Sequence, residues 1–289
     1  MQGVLAATFW GVMPIYFKLL QSIPALEVVG HRIIWSVPVL LLILWFRSSF
    51  PALKEALTDL KILRYLLVSS AFIAINWLIY VWAVQENHVL AASLGYFISP
   101  LLSVVLGRLV LKESLSRNQW IAVMIAAMGV SILAVEAWQT LWVSLALAGS
   151  WGLYGLTRKV APVGPMVGLT VETGLLFPFF IAYLIWLANS PAGTGFGQSL
   201  PIDLLLMGGA IVTAIPLLLF ASAVKKVSLS VAGLMLYVAP TMQFVIGAFL
   251  YKEPLTTSHI ICFALIWTSL AIFSADAYFG TNDKKVAST

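Results

Sequence analysis

The sequence predicts an all-α polytopic membrane protein: ten transmembrane helices arranged as two inverted five-helix repeats. Three observations predict it. The 289-residue chain is 61% hydrophobic and only 9% charged, with a mean hydropathy of +1.01, whereas soluble domains carry about 25% charged residues. Apolar runs long enough to cross a bilayer, about 17–25 residues each, fall at 2–20, 28–46, 63–84, 89–111, 118–135, 141–157, 165–188, 202–223, 230–251 and 258–279. The chain also repeats itself. Lys112-Glu113-Ser114-Leu115 returns 140 residues later as Lys252-Glu253-Pro254-Leu255, and Gly107, Pro100 and Ala92 return as Gly247, Pro240 and Ala232. Trp10-Gly11 returns as Trp151-Gly152, Lys18 as Lys159 and Pro24 as Pro165, at an offset of 141. A duplicated unit with an odd number of spans must lie upside down in its second copy, a recurrent plan of secondary transporters.

The repeats are read as 1–137 and 138–279, with 280–289 as a cytoplasmic tail; the polar chain after Asp276 is expected to be disordered. The first run lacks a cleavage-type small-residue site and is read as a span, not a signal peptide. Orientation follows from the basic residues. With both termini in the cytoplasm, that side collects Arg47, Lys54, Lys61, Arg64, Arg108, Lys112, Arg117, Arg158, Lys159, Lys225, Lys226, Lys284 and Lys285. The other side holds only Lys18 and Lys252, and Arg32 lies within a span. Excess Lys and Arg on short cytoplasmic loops is the positive-inside pattern. It also turns the two Lys-Glu pairs to opposite sides, which supports the inversion. The net charge of +5 is thus a topology signal and does not point to nucleic acid.

Two connections have character of their own. Between Arg47 and Arg64, Phe50, Leu53, Leu57 and Leu60 recur at helical spacing apart from Lys54, Glu55, Asp59 and Lys61. This predicts a short amphipathic helix on the inner surface of the bilayer. Asn189 to Leu200 is uncharged and rich in Gly, Ser and Pro, and is expected to be a flexible external loop.

Ionisable groups inside spans cost at least ~2.5–3.5 kcal/mol each on insertion scales, so each needs a reason. His31 and Arg32 lie about one turn into the second span. Glu172 lies about two turns into the seventh, at the repeat position equivalent to His31. Inversion puts His31 and Glu172 on opposite sides of the midplane, framing a common cavity. Arg32 suits a carboxylate or other anionic group of a solute, because its planar fork binds such groups bidentately. His31 and Glu172 are read as proton carriers, since histidine titrates near neutral pH and burial raises a carboxyl towards it. The competing reading has Arg32 snorkelling to the outer headgroups and Glu172 paired with Arg158 or Lys159.

Asn76 and Tyr80 are four apart in the third span and share a face. Ser93, Tyr96, Pro100, Ser103 and Gly107 form a stripe in the fourth, echoed in the ninth by Gly233, Tyr237, Pro240, Gln243 and Gly247. Small residues let helices approach, and the prolines free backbone carbonyls that must face protein or a water-filled cavity. Trp10 and Trp151 are repeat mates well inside their spans, with Tyr154 one turn from Trp151. An aromatic cavity suits a bulky, partly apolar solute or a cation held over a ring; core packing is the plain alternative. The candidate solute-binding set is therefore Trp10, Arg32, Asn76, Tyr80, Tyr96, Trp151, Tyr154, Tyr237 and Gln243, with His31 and Glu172 for proton coupling.

The lone cysteine, Cys262, excludes a disulfide framework or cysteine metal cluster on count and reads as a small core residue. There is no P-loop, no nucleotide fingerprint, no His-Glu-x-x-His and no hydrolytic triad. No enzyme activity, cofactor or metal is expected, and transport would draw on an ion gradient or the solute's own.

Several segments carry a family resemblance: Trp10-Gly11-Val12-Met13-Pro14-Ile15-Tyr16-Phe17-Lys18, Ala25-Leu26-Glu27-Val28-Val29-Gly30-His31-Arg32, Asn76-Trp77-Leu78-Ile79-Tyr80, Ser93-Leu94-Gly95-Tyr96-Phe97-Ile98-Ser99-Pro100 and Val171-Glu172-Thr173. Together they resemble the RarD group of EamA-type permeases in the drug/metabolite transporter superfamily, over essentially the whole chain. The resemblance implies ten helices in two inverted repeats, a bacterial inner (plasma) membrane location and export of small metabolites or drugs. Ala91, Ser99 and Leu236 depart from the group's pattern, which has Glu, Asn and Gln there, so the solute or the proton path of this chain is expected to differ. The reading is a proton- or gradient-coupled permease exporting small amphipathic metabolites, such as amino acids or drug-like aromatics, by alternating access. A passive facilitator and a non-transporting scaffold or sensor subunit are the alternatives. Eight spans, all but the fifth and tenth, would surround the cavity. The expected partners are a small-molecule solute and the lipid bilayer, with a homodimer admitted and no nucleic acid.

Overall fold

Apolar runs of this length become helices because hydrocarbon offers no water to the backbone, so each N–H and C=O must pair within its own segment. The computed structural model describes residues 1–85, 89–136, 141–250 and 256–286. The first half runs α1 (Gln2–Leu19), α2 (Ala25–Phe46), a short α3 (Phe50–Thr58), α4 (Leu60–Gln85), α5 (Val89–Leu109) and α6 (Arg117–Glu136). The second runs α7 (Leu141–Val160), α8 (Pro165–Ala188), α9 (Leu200–Lys226), α10 (Leu229–Met235), α11 (Val238–Val245), a π-helical turn at Ile246–Leu250, and α12 (Thr257–Val286). No strand occurs among the described residues. Each of the ten predicted runs falls on one helix, except the ninth, which is divided between α10, α11 and the π turn.

Among the described residues five helices are long and apolar enough, by length and composition alone, to cross a membrane: α2, α4 as far as Ala83, α6 as far as Val135, α8 and α9. Shorter apolar stretches lie at Leu94–Leu109, Val231–Gln243 and Thr257–Phe273. Large apolar side chains point outward along the bundle, among them Leu42, Trp45, Phe46, Phe179 and Trp186. Glu27, Arg32, Asn76, Arg158 and Glu172 are buried. That polarity, apolar outside and polar within, suits a lipid solvent.

The helix pairings carry the symmetry of the repeat. Repeat mates pack on one another in three places: α2 on α8, α5 on α10, and α6 on α12. The remaining contacts come in exchanged pairs. Thus α4 and α5 pack on α7, as α9 and α11 pack on α1; α2 meets α9 as α8 meets α4. A two-fold operation that swaps the halves produces this pattern, and five spans per half require its axis to lie in the membrane plane. Close approach at one mate crossing depends on a missing side chain. A Cβ on Gly233 would lie 2.6 Å from the Ser103 Cβ and 3.2 Å from the Pro100 carbonyl oxygen.

The repeated Lys-Glu motif has a structural use in its first copy. Glu113 accepts a hydrogen bond from the backbone N–H of Leu229, the first residue of α10, at 2.7 Å, which satisfies a helix N-terminus of the other repeat. The second copy, Lys252 to Leu255, lies outside the described residues, as do the side chains of Ala91, Ser93, Lys284 and Lys285. Cys262 is fully buried among Phe97, Tyr237 and Phe263.

The fold departs from expectation in the ninth span, the tail and the loop after α8. The ninth span breaks at Leu236–Tyr237. Pro240 has no N–H for the Leu236 carbonyl, which instead accepts from Ala239 in a tighter turn. Its mate Pro100 stays inside a continuous α5, where Ser99 and Ser103 bond back to the Gly95 and Ser99 carbonyls. The predicted tail is helical as far as Val286, where α12 ends; residues 287–289 lie outside the described residues. The amphipathic segment forms the expected short helix, α3, which packs on α4 and α8 through Leu53 and Ala56 and leaves Phe50 and Leu57 exposed. The loop after α8 is pinned and not free, as described below.

Gly233→Ala is expected to destabilise the purified protein by about 1–3 kcal/mol, the usual cost of overpacking, read as a lower melting temperature. Gly149→Ala, where nothing lies within 4 Å of the added Cβ, is the control and should leave it unchanged.

Candidate functional site

Trp10 and Trp151, equivalent residues of the two repeats, meet edge to face with ring centroids 4.9 Å apart, so the two-fold relation passes between them. Beside this pair is a cavity walled by both halves. From α1 come Trp10, Met13 and Phe17, and from α2 comes Arg32. Asn76, Trp77 and Tyr80 of α4 and Tyr96 and Ser99 of α5 complete the first repeat's share. The second contributes Trp151 of α7, Leu236 from the break in the ninth span, and Ala239, Pro240 and Gln243 of α11. The cavity is narrow, about 60 Å³, room for ~4 waters at roughly 10–15 Å³ each on this measure. α6 and α12 pack together away from it, as expected. Contrary to expectation, α8 and α9 give no lining residue.

Helix–helix hydrogen bonds set the polar groups of the wall. Asn76 Nδ2 donates to the Leu147 carbonyl and to Ser150 Oγ, both at 3.0 Å, tying α4 to α7. Gln243 Nε2 donates to the Trp10 carbonyl at 3.1 Å, tying α11 to α1. Because carbonyls only accept, these bonds commit the amide nitrogens and fix which way each amide faces.

Arg32 does not snorkel. It is 4% exposed, and its Nε donates to Thr213 Oγ1 of α9 at 2.8 Å. The guanidinium carbon sits 4.9 Å from the Trp77 ring centroid and 5.3 Å from that of Phe17. Gly209 of α9 makes room for it, since a Cβ there would come within 2.8 Å of Arg32 Cγ. α9 therefore serves the cavity from one layer back.

The remaining predicted residues lie elsewhere. Tyr154 is fully buried next to Trp151, 5.6 Å between centroids, and faces Glu172 behind the cavity wall. Tyr237 is fully buried on the far side of the broken span, near Phe97 and Cys262. Tyr154 shares α7 with the lining residue Trp151, and Tyr237 adjoins the lining residue Leu236 at the break, but both point off the lining face. Neither His31 nor Glu172 reaches the cavity, so they do not frame it together. Glu172 Oε1 lies 3.6 Å from Arg158 Nη1 and accepts a short hydrogen bond from Ser69 Oγ. Arg158 in turn lies over Gly168 and donates to the Pro165 carbonyl at 3.0 Å. This is the Arg158 pairing that the sequence left open; Lys159 instead donates to the Val224 and Val227 carbonyls at the end of α9.

His31 is stacked on Phe196 of the loop after α8, 4.9 Å between centroids. Its Nε2 is 3.8 Å from Glu27 Oε1, too far for a hydrogen bond. Glu27, unremarked in the sequence, is the anchor of that loop. Its buried carboxylate accepts from Thr194 Oγ1 (2.5 Å), Gly195 N (2.7 Å) and Phe196 N (3.4 Å). Thr213, Phe17 and Trp77 were missed as well. A signal existed for Phe17, because Trp10, Met13 and Phe17 fall at i, i+3 and i+7 on one face of α1. None existed for Thr213, which is ordinary until α9 is placed beside α2.

Two outcomes follow from these contacts. Glu172→Ala leaves Arg158 uncompensated and should cost about 3–5 kcal/mol of stability, whereas the paired replacement Arg158→Met with Glu172→Leu should recover most of it; melting temperatures of the three proteins check this. Glu27→Ala should raise hydrogen exchange at Gly195 and Phe196 while leaving α4 and α7 protected.

Comparison with known proteins fits this architecture. The model of the EamA-like transporter family matches twice, at residues 1–135 and 138–275. An uncharacterized transporter of Vibrio cholerae is 40% identical over 274 residues, covering 95% of this chain and 91% of that protein. The uncharacterized transporter YojE of Bacillus subtilis is 42% identical over 92% of this chain and 89% of its own length. The protein RarD of Escherichia coli is 37% identical over 96% and 95% respectively. A solved crystal structure superposes with a TM-score of 0.73 at 17% identity, over 94% of this chain and 95% of that one, which speaks to the fold alone. The chain belongs to the EamA-like transporter family.

Proposed function

We propose that the chain exports small, partly apolar solutes from the bacterial cytoplasm by alternating access, as a secondary transporter of the inner membrane. The observation that carries this reading is the position of the cavity. It lies where the repeat mates Trp10 and Trp151 touch, with walls from both halves, which is where inverted-repeat transporters bind their solutes. At about 60 Å³ it is well below the ~300–1,000 Å³ of pockets that hold drug-sized ligands. Loading therefore requires the halves to move apart, and the two-fold relation supplies two equivalent ways of doing so. The end bearing Arg158, Lys159 and Lys225 faces the cytoplasm in this reading, in line with the positive-inside pattern.

The driving force is proposed to be an ion gradient or the solute's own gradient. The contacts of Glu172 with Arg158 and of His31 with Phe196 favour structural roles for both, so neither is assigned to proton transfer. A proton-coupled exporter and a passive facilitator then differ in one assay. The protein is reconstituted in liposomes, and flux of labelled aromatic metabolites is followed with and without an imposed pH gradient. Facilitated flux above empty liposomes is expected from the wild type, and its absence for every solute would leave the scaffold or sensor reading. His31→Ala and Glu172→Gln should retain any gradient dependence; its selective loss, with solute exchange intact, would make that residue the proton carrier.

A further inference from the structure

The chain buries two arginines inside its helical bundle, and the two are settled differently. Arg158 has a carboxylate, Glu172, at 3.6 Å. Arg32 has none: among the described residues no carboxylate oxygen lies within 4 Å of its guanidinium. Its one hydrogen bond there is Nε to Thr213. The terminal nitrogens Nη1 and Nη2 donate to nothing described, and the residue borders the cavity. The Trp77 and Phe17 rings offset part of the burial cost, but they do not neutralise a charge in hydrocarbon.

We propose that the cavity takes an organic monoanion, a carboxylate on an aromatic or bulky apolar body, whose carboxylate pairs with Arg32 as its missing counterion. This rests on the transporter reading above and names its substrate class. The fork formed by Nη1 and Nη2 matches a carboxylate edge. A single positive charge, with no lysine and no second arginine in the wall among the described residues, balances one negative charge and leaves a second unpaired. Asn76 supports that limit of one negative charge. Asn76 has committed both its N–H donors to Leu147 and Ser150, so it offers a solute its carbonyl oxygen, which repels a further carboxylate, whereas Gln243 spends one N–H on Trp10. Trp10, Tyr80, Tyr96 and Trp151 supply apolar faces for the body of the solute.

The test uses purified full-length protein and the fluorescence of its tryptophans, since Trp10, Trp77 and Trp151 all border the cavity. Phenylacetate and 1-naphthylacetate are titrated beside the neutral phenylacetamide, the cationic phenethylamine and the dianionic phenylsuccinate. Saturable quenching by the monocarboxylates is expected, with binding at least ~10-fold tighter than for the amide, amine or dianion. Arg32→Gln should weaken carboxylate binding by roughly 100-fold or more, as for breaking one desolvated charge pair, and Arg32→Lys should restore part of it. Equal or tighter binding of the amine or amide, no saturable binding of either monocarboxylate, or an unchanged preference in Arg32→Gln would overturn the proposal. The wild-type series decides alone if Arg32→Gln does not fold. Flux assays separate this idea from the reading beneath it. Carboxylate binding without flux would sink the transport reading and leave the site; flux without charge preference would do the reverse.

Discussion

Hydrocarbon does not tolerate an unpaired charge or an unbonded backbone group, and most of this molecule's interior is an answer to that constraint. The two buried carboxylates and the half-buried lysines at the helix ends are settled against different partners. Glu27 takes two backbone N–H groups and a hydroxyl of the loop after α8. Glu172 faces Arg158 and Ser69. Lys159 and Lys225 donate to carbonyls at the ends of α9 and α7, where a helix presents its partial negative charge. Arg32 stands apart, because its partners are two ring faces and a hydroxyl.

The two-fold relation organises these answers without making them equal. Mates touch at Trp10 and Trp151 and, 6.4 Å apart, at Phe97 and Tyr237. Yet the fourth span is continuous where the ninth breaks, and Leu236 at that break enters the cavity wall. Arg32 reaches the cavity from α2, while its repeat counterpart α8 keeps Glu172 behind the wall. The halves give matching scaffolds, and the cavity wall between them is asymmetric. This suits a transporter, which needs two related conformations of one frame but a single set of contacts to its cargo.

Much of the site was legible because span membership and helical spacing are local properties. Asn76 and Tyr80, one turn apart, both line the cavity, and so do Tyr96, Gln243 and the mates Trp10 and Trp151. Tyr154 and Tyr237 show the limit. Both are aromatic, intramembrane and near lining residues, yet each lies on a face turned towards another helix. The loop after α8 shows a second limit. Its composition suggests freedom, but Glu27, more than 160 residues earlier in the chain, holds it down.

What the sequence by itself determined was the helical class, the number of apolar runs, the duplication and its inversion. It also singled out His31, Arg32 and Glu172 as ionisable residues within apolar runs. These follow from composition, run length and the count of spans per copy, none of which depends on where a helix is placed. Only the tertiary structure decided the partners: Arg158 for Glu172, Thr213 and two rings for Arg32, and Glu27 for the loop. Partner choice depends on which helices become neighbours, and a helix of period 3.6 offers several faces to several neighbours. The same sequence pattern therefore serves a cavity wall or a packed core until the helices beside it are known.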